Sequence, residues 1–172
     1  LKTVNSIGLA ALEEENLDLT DHIVIIGFGR FGRNVARIAE NHKIPYVAFD
    51  MNPIRVQHGR DKGVPIHYGD GARADLLWGV GIDRARALVT TMDEDPPVVT
   101  NLVETLHRRL PDLAILARAA DETHAAALRE AGATSAVPDA LASSMHLAQS
   151  ILRQFDLPDK DLTQMVEEFT KG

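Results

Sequence analysis

Cysteine is absent from this 172-residue chain, which excludes disulfides, thiolate metal sites and cysteine nucleophiles. A Lys/Arg-rich block is missing too. With 25 acidic against 18 basic residues the formal charge is −7, so the surface is not built to neutralise nucleic-acid phosphates. No apolar run approaches the roughly eighteen residues that span a bilayer, and no signal peptide precedes the first strand. The 7 histidines are scattered, without H-E-x-x-H or an acid at ligand spacing, so no metal site is expected. The chain begins at Leu1 rather than Met and is expected to be a piece of something longer, with a membrane segment outside it. What is present, 45% hydrophobic and 25% charged residues, is the composition of an ordinary soluble globular domain with a real core.

Short apolar runs alternate with segments of helical period. "HIVIIG" (22–27) reads as a strand buried on both faces, because its apolar residues are continuous rather than alternating. "PYVAFD" (45–50), "PIHYGD" (65–70), "RARALVTTM", "LAILARA" (113–119) and "TSAVP" (134–138) supply five more strands, with a helical pattern between each pair. Strict β-α alternation with short connections predicts an α/β fold: a Rossmann-like, doubly wound parallel sheet of six strands over 22–138. The ligand crevice is then expected at the carboxyl ends of the first and fourth strands. Residues 139–172 read as C-terminal crossover helices, with Leu141, Met145, Ala148 and Leu152 along one face; they close one side of the domain or reach a second copy. Residues 1–21, with an acidic "EEENLD" and no strong period, read as a linker from an upstream membrane domain.

Between the first strand and the first helix stands Gly27-Phe28-Gly29-Arg30-Phe31-Gly32, which fits G-x-G-x-x-G. Gly27 allows the tight turn off the strand, Gly29 lets backbone approach a phosphate, and Gly32 lets the helix pack near the sheet. Free N–H groups at the helix start favour an anion. Asp50 ends the second strand 18 residues after Gly32, placed to accept both ribose hydroxyls of an adenosine and to repel a 2′-phosphate. The expected ligand is therefore an adenosine nucleotide or NAD(H), not NADP(H). Arg30 is either a phosphate contact or a solvated arginine. Asp70 caps the next helix or touches the adenine rim. Thr90 and Thr91 end the fourth strand at the crevice, one of them turned into the sheet. Arg118, at the end of the fifth strand, meets either a structural carboxylate or a ligand anion.

A dehydrogenase also needs a proton donor or acceptor held against the nicotinamide. Only 34 residues follow Pro138, too few for a substrate domain, and no Tyr-x-x-x-Lys pair is present. No catalytic residue is expected. Binding is the expected output, and the competing reading is the cofactor domain of a NAD-dependent oxidoreductase that has lost its substrate domain.

"HIVIIGFGRFGRNVARI", "VAFDMNP", "HYGDGARADLLWGVGIDRARALVTTMDE" and "PDLAILARAADETHAAALREAGA" together resemble the N-terminal half of the RCK, or TrkA-N, domain. The variety they most resemble is the cytoplasmic domain of KefB/KefC-type monovalent cation:proton antiporters. The resemblance covers about residues 22–138 and extends more loosely to about 170. It implies a homodimer that binds NAD(H), AMP or ATP as a regulatory ligand. It also implies a place on the cytoplasmic face of the bacterial inner membrane, beside a potassium/proton antiporter or potassium channel, most simply in the same polypeptide. By motif it assigns the phosphate loop to Gly27, Gly29, Arg30, Phe31 and Gly32, and the ribose acid to Asp50 with Met51 beside it. The adenine-side turn is Asp70-Gly71, Thr91 lies at the far end of the crevice, and Arg118 matches the family's strand-end arginine. Two departures stand out. "GDGA" replaces the family's "GDAT", which predicts a looser adenine rim. "ARAA" replaces the "ARAR" of glutathione-gated members, with Ala120 at the second arginine, which weakens any claim that glutathione is the effector.

Overall fold

The computed structural model describes residues 9, 11–92, 94–138, 149–156 and 158. A 6-stranded sheet of order β3-β2-β1-β4-β5-β6 organises them, with every neighbouring pair parallel. The strands are β1 (Ile23–Ile26), β2 (Tyr46–Asp50), β3 (Ile66–Tyr68), β4 (Ala87–Thr90), β5 (Ala114–Arg118) and β6 (Ser135–Val137). Between them run α1 (Arg30–Asn41), α2 (Pro53–Asp61), α3 (Ala74–Gly79), α4 (Pro96–Arg109) and α5 (Glu122–Ala131). A short 3₁₀ turn, Ile82–Arg84, precedes β4. Strand order reverses between β1 and β4, so the connections leaving their carboxyl ends run to opposite faces of the sheet and open the Rossmann-like crevice.

Alternation along each strand divides the core in two. Val24 and Ile26 face a cluster with Phe49, Leu88 and Ile115, covered by Leu77, Val99, Val103 and Leu128. Ile23 and Ile25 face the other cluster, with Ala48, Val89 and Leu116, covered by Val35, Ile38 and Val56. Each large side chain so buried contributes about 1.5–3 kcal/mol relative to exposure, which is why the central strands carry no polar residue before their ends. The two faces explain the continuous apolar run read as β1.

Two local features set the helix starts. Asn52 caps α2, its Oδ1 accepting from Ile54 N at 3.0 Å and Arg55 N at 3.3 Å. Gly29 caps α1 with no side chain at all, and the first turn of α1 holds no acid. The first amides of α1 are thus left without a side-chain acceptor at the mouth of the crevice.

The amino-terminal segment departs from the linker reading in one respect. Residues 11–15 are helical, Leu12 is buried in the first cluster, and Leu9 Cδ1 packs over Gly79. Its polar sequence conceals this because one buried leucine, rather than an apolar stripe, docks it. Of the C-terminal stripe, Leu141, Met145 and Ala148 lie outside the described residues. Ile151 and Leu152 are buried with Val35 and Ile38, closing the domain's own core. Arg86 lies 4.9 Å from the Phe155 ring centroid on that side.

Candidate functional site

The carboxyl ends of β1, β2 and β4 enclose a cleft of about 560 Å³. Gly27, Gly29, Arg30, Phe31, Asp50, Met51, Asp70, Gly71, Thr91 and Arg118 line it, so the structure brings ten of the eleven expected residues together. The eleventh, Gly32, is buried behind the loop. A Cβ there would fall on the Gly27 carbonyl oxygen, so its place is at the helix–strand contact rather than at the cleft wall.

Gly27 has φ +92, a conformation that side-chain-bearing residues rarely adopt, and its amide donates to Phe49 O at 2.9 Å. The Thr91 hydroxyl lies 3.1 Å from the carbonyl oxygens of both Ile26 and Gly27, tying β4 to the start of the loop. Thr90 is fully buried within the sheet. Gly29 has no atom beyond its neighbours nearer than 3.7 Å to the place a Cβ would occupy, and that space opens to the cleft.

Asp50 is 7% exposed. Its Oδ2 accepts the Phe28 amide at 2.7 Å and its Oδ1 the Asn52 amide at 2.7 Å. These short, charge-assisted bonds fix the carboxylate between the β1–α1 and β2–α2 turns. A carboxylate has about four acceptor sites, so capacity remains for ligand hydroxyls. Asp70 accepts the Ala72 amide at 2.9 Å in a tight turn, while Arg73 takes the cap position of α3, so Asp70 shapes the rim rather than capping the helix.

Gly71 stands at the turn where a looser adenine rim is expected. It is buried, and a Cβ there would collide with Ile26 Cγ2, so the absent methyl is filled by β1. Arg30 is exposed and Arg118 half-buried, and neither has an ion-pair partner among the described residues. Two uncommitted guanidinium groups therefore line the cleft with the amides of α1, a setting for an anion.

Asn34, Arg55, Met92 and Glu94 also line the cleft and were not among the expected residues. Asn34 stands one helical turn from Arg30, so helical spacing carried its signal. Arg55 has no such local signal, because its position depends on packing of α2 against the loop.

A second cavity of about 610 Å³ lies beside the first and shares Met51, Gly69 and Asp70 with it. Its opposite wall is the amino-terminal segment, with Leu9, Leu12 and Glu15. His67 sits there 3.7 Å from Glu15 Oε2, with Asn16 Nδ2 3.4 Å from its Nε2 and Arg60 Nη2 3.4 Å from its Nδ1. Burial pushes the His67 pKa below the usual imidazole value; Arg60 acts the same way, and Glu15 opposes both.

The sequence model of the TrkA-N domain matches residues 23–138. K(+) efflux antiporter 2, chloroplastic, of Arabidopsis thaliana is 36% identical over 162 residues, covering 94% of this chain and 14% of that protein. The Kef CTD of Shewanella denitrificans in its AMP-bound form is 28% identical, with a TM-score of 0.61 over 87% of this chain and 90% of that one. A GsuK channel bound to NAD is 29% identical, with a TM-score of 0.61 over 70% of this chain and 22% of that one. The chain spans about a quarter or less of the length of the curated relatives it matches.

Proposed function

The chain belongs to the TrkA-N domain family, and on that premise we propose that it is a nucleotide-binding regulatory domain controlling potassium transport. NAD(H), AMP or another adenine nucleotide occupies the cleft. The observation that carries this reading is the Asp50 carboxylate, held by two backbone amides at 2.7 Å across from the uncapped start of α1 in the same cleft. One end accepts ribose hydroxyls; the other donates to phosphate. The AMP and NAD held by the two neighbouring structures support the same ligand class.

The output is a change of conformational balance rather than turnover. The Gly69-Asp70 turn is a wall of both cavities, so ligand at the first bears on the segment that packs against the second. Residues 1–21 pass the signal to a membrane-embedded potassium/proton antiporter or potassium channel, most simply in the same polypeptide. The working form is a homodimer at the cytoplasmic face of a bacterial inner membrane.

Native mass spectrometry of the chain with AMP, ADP and NADH tests this together with an assay for NADH oxidation. One nucleotide per chain, without hydride transfer to any added acceptor, is the expected result. A chain that retains no nucleotide, or one that oxidises NADH, contradicts it.

A further inference from the structure

Arg55 already stands in the cleft between the two parts that would grip a nucleotide. Its Nη1 is 3.5 Å from Asp50 Oδ2. Its Nη1, Cζ and Nη2 lie 3.7, 3.8 and 4.0 Å from the place a Cβ would occupy on Gly29, so the guanidinium rests over the glycine that phosphate must approach. The cleft therefore holds a cation where ribose and phosphate would meet.

The three contacts of Asp50 are unequal. Two backbone amides hold it at 2.7 Å, whereas Arg55 reaches it only at 3.5 Å, beyond good hydrogen-bond length and with half its side chain exposed. The amides belong to the turns themselves and stay in place when a ligand arrives. A ribose hydroxyl thus competes with Arg55 alone. The Arg55 main chain is fixed, since its amide donates to Asn52 Oδ1 at 3.3 Å, and only the long side chain is free to move. A guanidinium released there finds the ligand's own phosphate, bonded to the same ribose and lying against Gly29, and it matches phosphate oxygens in a bidentate fork.

We propose that Arg55 is a displaceable counter-ion that sets ligand specificity: it neutralises Asp50 before a ligand enters, yields the carboxylate to ribose and transfers to phosphate. Resting on the nucleotide reading, this deepens it, because the cleft then selects phosphorylated adenosine over the bare nucleoside. Adenosine displaces Arg55 and returns nothing to it, whereas AMP or a dinucleotide supplies a replacement anion. Neither Arg30 nor Arg118 pairs with Asp50, so neither links ribose to phosphate in this way.

Calorimetric titration of the chain with adenosine, AMP and NAD, in wild type, Arg55→Gln and Arg55→Lys, tests the assignment. Wild type is expected to bind AMP at least about ten-fold more tightly than adenosine. Arg55→Gln should weaken AMP and NAD by about ten-fold while leaving adenosine as tight or tighter, and Arg55→Lys should restore part of the difference. Equal weakening of adenosine and AMP would make Arg55 a prop for Asp50 and overturn the proposal. So would an unchanged preference in Arg55→Gln, or a wild type that binds adenosine as tightly as AMP. A wild type that binds none of the three ligands removes the nucleotide reading itself, a different failure from these.

Discussion

The main chains of Gly27 and Gly32 are in direct contact: a Cβ on Gly32 would fall on the Gly27 carbonyl oxygen. Backbone cannot yield there without moving β1 or α1. Gly32→Ala is therefore expected to cost about 1–3 kcal/mol of stability. Gly29→Ala should cost little, since Gly29 has φ −73 and a Cβ there would make only ordinary van der Waals contact with the Arg55 guanidinium, yet it places a methyl where phosphate must approach. Thermal unfolding should separate the two variants in that order, and calorimetry should show Gly29→Ala weakened for nucleotide. The reverse order of stabilities would contradict the packing account.

Asp50 serves the fold and the ligand together. Asp50→Ala leaves the amides of Phe28 and Asn52 without their acceptor, for a loss of about 1–3 kcal/mol in stability. Nucleotide affinity should fall by a similar amount, about 1–3 kcal/mol, as ligand hydroxyls lose a charged acceptor. Denaturant unfolding and calorimetry measure the two effects separately. Unchanged affinity would remove Asp50 from the site.

Gly71 and Ile26 fill one space. Gly71→Ala should destabilise by about 1–3 kcal/mol because its methyl meets Ile26 Cγ2 and, at 2.9 Å, Cγ1. Ile26→Ala should destabilise alone by about 2–5 kcal/mol through the cavity it leaves. The double variant should be more stable than the sum of the two losses implies. Strict additivity in urea unfolding would count against the contact.

Acid should weaken the fold through two buried imidazoles. Burial lowers the pKa of both His22, which hydrogen-bonds Val80 O at 2.9 Å, and His67 below the ordinary 6.5. The unfolded chain then binds the proton more readily. Their contribution is full above about pH 6.5 and is lost as pH falls from there through the folded-state values. The melting temperature should be level from about pH 8 to about pH 7 and decline between about pH 6.5 and about pH 5.5. His67→Gln should show a shallower decline over that window, and a wild-type melting temperature level to about pH 5.5 would contradict this.

Much of the fold was legible in the chain itself. The run "IVII" is buried on both faces, and continuous apolar residues between turn signals mark such a strand without help from tertiary contacts. The glycine loop and Asp50 were legible because their tasks are mechanical and their spacing follows from one β-α-β unit. Arg55 was not, since a charged residue on a helix reads as solvated until the loop it lies against is known. The helix at 11–15 was hidden for a related reason: Leu12 and the Asn16–His67 contact join parts of the chain far apart in sequence. The filled space at Gly71 likewise depends on Ile26, a strand residue whose facing neighbour no local pattern names.

A crystal structure of the chain grown with AMP tests the central claim most directly. The account predicts the ribose hydroxyls on Asp50, the phosphate against Gly29 and the first amides of α1, and the Arg55 guanidinium moved from carboxylate to phosphate. AMP bound elsewhere, or a cleft still closed by the Arg55–Asp50 pair at saturating nucleotide, would contradict it.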